Sequence, residues 1–125
     1  MNSRLARARF LAFFLTSPVF AADPAAVNRG RDYFDEECTV CHTAGPVQGG
    51  DQGPLLTGVV GRPAGIVPGF EYSRQLKASG KIWTPQTLDK FLADPTAFIQ
   101  GTKMPVNVGD ARDRADLIAF LASNP

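Results

Sequence analysis

Apolar residues recur at helical spacing in three parts of the chain, and each part opens on a residue suited to cap a helix. Asp23 can cap the first, with Pro24 at its first helical position, and Val27, Gly30 and Phe34 then fall on one side. Thr84 and Pro85 open the second, whose apolar face is Leu88, Phe91 and Leu92. Asp94-Pro95 ends that helix and opens a short one through Phe98 and Ile99, closed at Gly101. The third runs from Asp110, with Leu117, Ile118 and Leu121 on one face and Phe120 beside them. No run alternates apolar and polar residues as a half-buried strand does, so the pattern predicts an all-α domain.

Between the first and second helices, residues 43–82 show little regular periodicity and hold nine of the twelve glycines. A structureless stretch of this length ordinarily argues against the element assignment. Disorder does not fit either, because Leu55, Leu56, Val59, Val60, Ile66, Val67 and Phe70 are too apolar for a segment that stays solvated. A long loop can be ordered when it wraps a large apolar group, and a haem face can take the place of a second layer of secondary structure.

Residues 1–21 differ from the rest. Arg4, Arg7 and Arg9 precede a short apolar run from Phe10 to Leu15, and Val19-Phe20-Ala21 suits a cut after Ala21. That is the pattern of a secretory signal peptide, with an apolar run too short to span a bilayer. The expected organisation is therefore a signal peptide over 1–21 and one domain over 22–125. The domain carries ten basic and twelve acidic side chains, so the whole-chain charge of +1 becomes −2. With no Lys/Arg stripe to neutralise phosphates, a nucleic-acid partner is not expected.

The chemistry sits in Cys38-Thr39-Val40-Cys41-His42, the C-x-x-C-H pattern of covalent haem attachment. Two thiols separated by two residues can reach two vinyl groups at one edge of a porphyrin, and the next residue then lies under the iron. The competing readings are a disulfide, a thioredoxin-like redox pair and a zinc site. The redox pair usually accompanies a βαβ pattern, which is absent. Two cysteines and one histidine cannot complete a four-ligand Cys/His zinc site within one chain. His42 is the only histidine, and Met104 the only methionine of the 22–125 domain. Met104 precedes Pro105, which favours an extended backbone. With the haem motif upstream, Met104 reads as the second iron ligand, and Lys103 is its chemical competitor.

These features together resemble the class I cytochromes c, in particular the mitochondrial type and its close bacterial relatives. Gly30 and Phe34 match the family's first-helix packing positions, and Leu117 and Phe120 match their partners on the last helix. Gly53-Pro54-Leu55-Leu56 is similar to the segment whose proline carbonyl accepts a hydrogen bond from the ligating imidazole. Gly61-Arg62-Pro63-Ala64-Gly65, the segment around Tyr72, and Trp83 resemble the propionate-side donors. Gly101-Thr102-Lys103-Met104 resembles the axial-ligand loop. Leu55, Leu76 and Phe91 stand where the family usually has polar side chains near the haem.

The resemblance implies three main helices plus short ones, with long loops wrapped around one covalently attached haem c. It implies haem anchored by Cys38 and Cys41, iron bound by His42 and Met104, and a surrounding shell of Pro54, Arg62, Tyr72, Trp83 and Thr102. A His/Met pair favours ferrous iron and leaves no open iron position, which suits electron transfer rather than enzyme chemistry. The implied protein is a monomeric, periplasmic one-electron carrier with no small-molecule substrate. It would dock membrane or periplasmic redox proteins at its haem edge. Two alternatives remain: a dedicated cytochrome subunit of one dehydrogenase, and a haem peroxidase or gas-binding protein.

Overall fold

The structure, a computed structural model, describes residues 22–125; the segment read as a signal peptide, 1–21, lies outside them. Five helices follow in order: α1 (Pro24–Glu37), α2 (Arg74–Ala78), α3 (Pro85–Ala93), α4 (Pro95–Phe98) and α5 (Ala111–Ala122). No strand occurs among the described residues, which hold only two isolated bridges, Ala44 with Val47 and Pro63 with Ile82.

The expected caps form. Asp23 accepts from the Ala25 N–H at 3.1 Å. Thr84 and Thr87 cap each other reciprocally at the start of α3. Asp94 ends α3 and accepts from the Ala97 N–H of α4 at 3.2 Å. Asp110 accepts from the Arg112 and Asp113 N–H groups at 2.8 and 3.0 Å. Each cap satisfies backbone donors that a helix start leaves open.

One element departs from expectation. Within the stretch read as irregular, Ser73 caps the five-residue α2, accepting from the Leu76 N–H at 3.2 Å. Only Leu76 of that helix is buried, so no apolar period could have signalled it. Elsewhere the loop is held by single backbone hydrogen bonds to neighbouring segments, such as Ala64 N–H to Lys81 carbonyl at 2.8 Å.

The core begins where α1 packs on α5. Phe34 is fully buried, and its ring lies 5.5 Å from that of Phe120, tilted by 46°. Burying two such rings contributes about 1.5–3 kcal/mol each, before any pairing geometry is added. Gly30 lets the backbones meet, since a Cβ there would collide with the Asp116 carbonyl. The same Asp116 takes a two-point ion pair from Arg29, at 2.7 and 3.0 Å, joining residues 87 positions apart. α3 packs on both α4 and α5, and its face of Leu88, Phe91 and Leu92 is buried.

Hydrogen bonding to Arg29 lowers the Asp116 pKa below the ordinary carboxylate value, against a smaller opposing effect of burial. A group with a depressed folded pKa contributes stability that is complete above its unfolded value, about 4, and fades as pH falls through the folded one. Asp116→Asn should therefore be less stable than the parent at pH 7. The gap should close in acid, as followed by denaturant unfolding at a series of pH values. A gap that persists unchanged at low pH would place the effect in packing rather than in the ion pair.

Candidate haem site

α1 hands the chain directly to the motif. The Cys38 N–H closes the helix on the Phe34 carbonyl at 2.9 Å, and the Cys41 and His42 N–H groups both return to the Cys38 carbonyl, at 3.1 and 2.9 Å. This tight turn brings Cys38, Cys41 and His42 to the wall of one apolar cavity of about 190 Å³. Both thiols are free and half-buried. Burial, with the negative charge of Glu37 and the Cys41 thiolate adding to it, pushes the Cys38 thiol up to about 11. Redox-active C-x-x-C pairs carry the opposite shift on their attacking thiol, which does not favour the thioredoxin-like reading.

His42 Nδ1 lies 2.8 Å from the Pro54 carbonyl oxygen. A carbonyl only accepts, so Nδ1 carries the proton and Nε2 keeps its lone pair. Burial lowers the His42 pKa, opposed by that same hydrogen bond, a direction that favours the neutral ring. Gly53 lies against the imidazole. A Cβ there would sit 2.7 Å from Nε2 and 2.8 Å from Nδ1, and closer still to Cε1. Gly53→Ala should force the ring to turn, which resonance Raman would register as a shifted iron–imidazole stretch. A frequency identical to the parent's would mean that the loop yields instead of the ring.

The cavity gathers every residue expected to hold the haem: Cys38, Cys41, His42, Pro54, Arg62, Tyr72, Trp83, Thr102 and Met104. The Tyr72 hydroxyl accepts from the Val67 N–H at 3.1 Å, and the Trp83 ring packs 5.0 Å from Phe91. Met104 is half-buried against the core, and its N–H approaches the Thr102 hydroxyl at 3.4 Å. Lys103, the competing ligand, also lines the cavity, but its Nζ is engaged by the Glu71 carbonyl, to which it donates at 2.7 Å. Leu76 and Phe91 line the cavity, whereas Leu55 does not and is 47 % exposed. The apolar replacement at 55 therefore does not act at the cavity wall. Sequence reading missed the contact of Gly53 with the imidazole, the capping of α2 by Ser73, and the places of Val108 and Leu121 in the cavity wall. For Leu121 the α5 periodicity held the signal; for Gly53 nothing local did, because the ring it meets belongs to a separate turn.

An apolar cavity with paired thiols and a neutral histidine on its wall, closed by helices at both ends of the domain, is the architecture of a c-type haem protein. The donor set fits that group: two thiols for the porphyrin edge, a free imidazole lone pair for iron, and apolar walls for the ring faces.

The cytochrome c family model matches residues 27–125, and the chain belongs to that family. It is 45 % identical over 104 residues to cytochrome c2 of Rhodomicrobium vannielii, covering 82 % of this chain and 80 % of the relative. It is 41 % identical over 101 residues to cytochrome c of Sesamum indicum, covering 80 % and 91 %. The solved structure of cytochrome c2 from Rhodospirillum centenum superposes with a TM-score of 0.72 at 35 % identity, over 78 % of this chain and 97 % of that one. The expected class I cytochrome c fold is thus the observed one, and the protein is a cytochrome c2-type electron carrier, not an enzyme, with one covalently attached haem c.

Proposed function

We propose that the protein is a periplasmic shuttle, exported by residues 1–21 and cut after Ala21, that moves single electrons between a reductase or dehydrogenase and an oxidase or other acceptor. Cys38 and Cys41 would form the thioether bonds, and His42 and Met104 would bind the iron. Arg62, Tyr72 and Trp83 would meet the propionates, with Pro54 orienting His42 and Thr102 supporting the methionine loop. The haem supplies the one-electron iron couple. The chain's own residues would supply both iron ligands, favour the neutral imidazole and exclude water from the cavity.

The observation that carries this reading is the His42–Pro54 hydrogen bond inside a cavity that Met104 also lines. It leaves a nitrogen lone pair for iron, and such a second contact raises ligand basicity. No helix among the described residues is long and apolar enough to cross a membrane, which is compatible with a shuttle. The charge of −2 on residues 22–125 argues against a strongly basic docking face.

The test is to purify the protein from the periplasm of cells competent in haem attachment and stain a denaturing gel for haem. Haem that migrates with a chain beginning at Ala22, from a monomer by light scattering, is the expected result. A colourless chain would overturn the attachment. Persistent co-purification with one dehydrogenase at moderate salt would make the protein that enzyme's subunit. Ready carbon monoxide binding to the reduced form would show that the methionine side is open.

A further inference from the structure

Arg62 is anchored at one place in the fold and spends its side chain at another. Its backbone is fixed to the segment that carries Trp83. The Trp83 N–H donates to the Arg62 carbonyl at 2.9 Å, and the neighbouring Gly61 N–H donates to the Trp83 carbonyl at 2.6 Å. From that anchor the guanidinium reaches back over the loop at 53–57. It donates to the Leu55 carbonyl at 2.9 Å and to the Thr57 carbonyl at 3.2 Å. Among the described residues no other donor reaches those two carbonyls.

The same short loop carries Pro54, whose carbonyl accepts from His42. Its other edge is tied to the turn that bears the histidine. The Gly53 N–H donates to the Cys41 carbonyl and the Leu56 N–H to the Thr43 carbonyl, both at 2.9 Å. Residues 53–57 are therefore held from two sides, by the histidine turn through their N–H groups and by Arg62 through their carbonyls. Proline has no N–H of its own, so the place of the Pro54 carbonyl depends on how firmly its neighbours are held.

We propose that Arg62 is a positioning residue for the iron-binding imidazole: by fixing the Leu55 and Thr57 carbonyls it keeps the Pro54 carbonyl on His42 Nδ1. The proposal rests on the reading of His42 as iron ligand, and it assigns Arg62 a task beyond meeting a propionate. The guanidinium suits the task, because its planar fork can serve two acceptors at once and two of its five N–H groups suffice. A lysine offers a point charge on a flexible stem and does not replace that fork.

Arg62→Lys and Arg62→Gln holoproteins test this against a purely electrostatic role. In the fully reduced protein, NMR hydrogen exchange reads the His42 Nδ1 proton, the Gly53 and Leu56 amides, and the α1 and α5 amides. Reduction potentials are taken on the same samples. Loss of one charge-assisted hydrogen bond should speed exchange at His42, Gly53 and Leu56 by about tenfold in both variants. The α1 and α5 amides should keep the parent's rates. If Arg62→Lys exchanges like the parent and only Arg62→Gln changes the potential, Arg62 acts through charge alone and the proposal falls. Equal acceleration at every amide overturns it too, since Arg62 would then support the whole fold. Failure of the underlying reading is separately visible, because a parent without histidine ligation shows it in its own spectrum before any variant is compared.

Discussion

Replacing Met104 by alanine is expected to abolish the weak sulfur-to-iron charge-transfer absorption of the oxidised protein and to lower its reduction potential. A thioether is a soft ligand that favours ferrous iron. Its loss should move the potential by a substantial share of the roughly 0.8 V that axial ligation spans. Met104 is also half-buried against the core, so alanine removes packing as well, at about 1–2 kcal/mol for a partly exposed site. Met104→Leu separates the two effects. It keeps the volume, costs under about 1.5 kcal/mol, and should lose the absorption band and the potential as fully as alanine does. Spectra unchanged in both variants would exclude Met104 from the iron. A change in alanine alone would trace the effect to packing.

Gly30→Ala is expected to destabilise the fold by about 2–3 kcal/mol. In an exposed helix the same substitution would help by about 1 kcal/mol, so the predicted sign is the reverse of intrinsic propensity. The reason is the close crossing of α1 and α5: the new Cβ would collide with the Asp116 carbonyl and lie 2.9 Å from the Phe120 Cβ. Neither neighbour can give way, because one is helix backbone and the other belongs to the fully packed Phe34–Phe120 pair. Gly109→Ala provides the comparison, since a Cβ there meets nothing within 4 Å and should shift the denaturation midpoint very little. Equal midpoints for the two variants would mean that the helices separate easily and that the crossing is not tight.

The helices could be read from the chain because their signals are local. Asp23, Thr84, Asp94 and Asp110 each act on N–H groups two or three residues away, and α3 shows its buried face within nine residues. α2 was hidden because a five-residue helix with one buried side chain has no period to detect. Cys38, Cys41 and His42 were legible as a contiguous motif, and Met104 by being the only other soft ligand in the domain. Pro54, Arg62, Tyr72, Trp83 and Thr102 came from the family resemblance rather than from any pattern of spacing. What stayed out of reach were contacts between segments remote in sequence. Lys103 on the Glu71 carbonyl, Arg62 on Leu55 and Thr57, and Gly53 under the His42 ring all depend on how a loop without a period folds back on itself.

The meeting of α1 with α5 has a consequence for when this polypeptide can become a protein at all. Arg29 finds Asp116 across 87 positions, and bringing such distant ends together costs on the order of 4 kcal/mol in chain entropy. That cost falls due before the first helix has anything to lie on. Until α5 is present the Phe34 ring of α1 lacks its partner, and the chain stays open at that seam. That openness would keep the two thiols after the first helix within reach of whatever joins a prosthetic group to them.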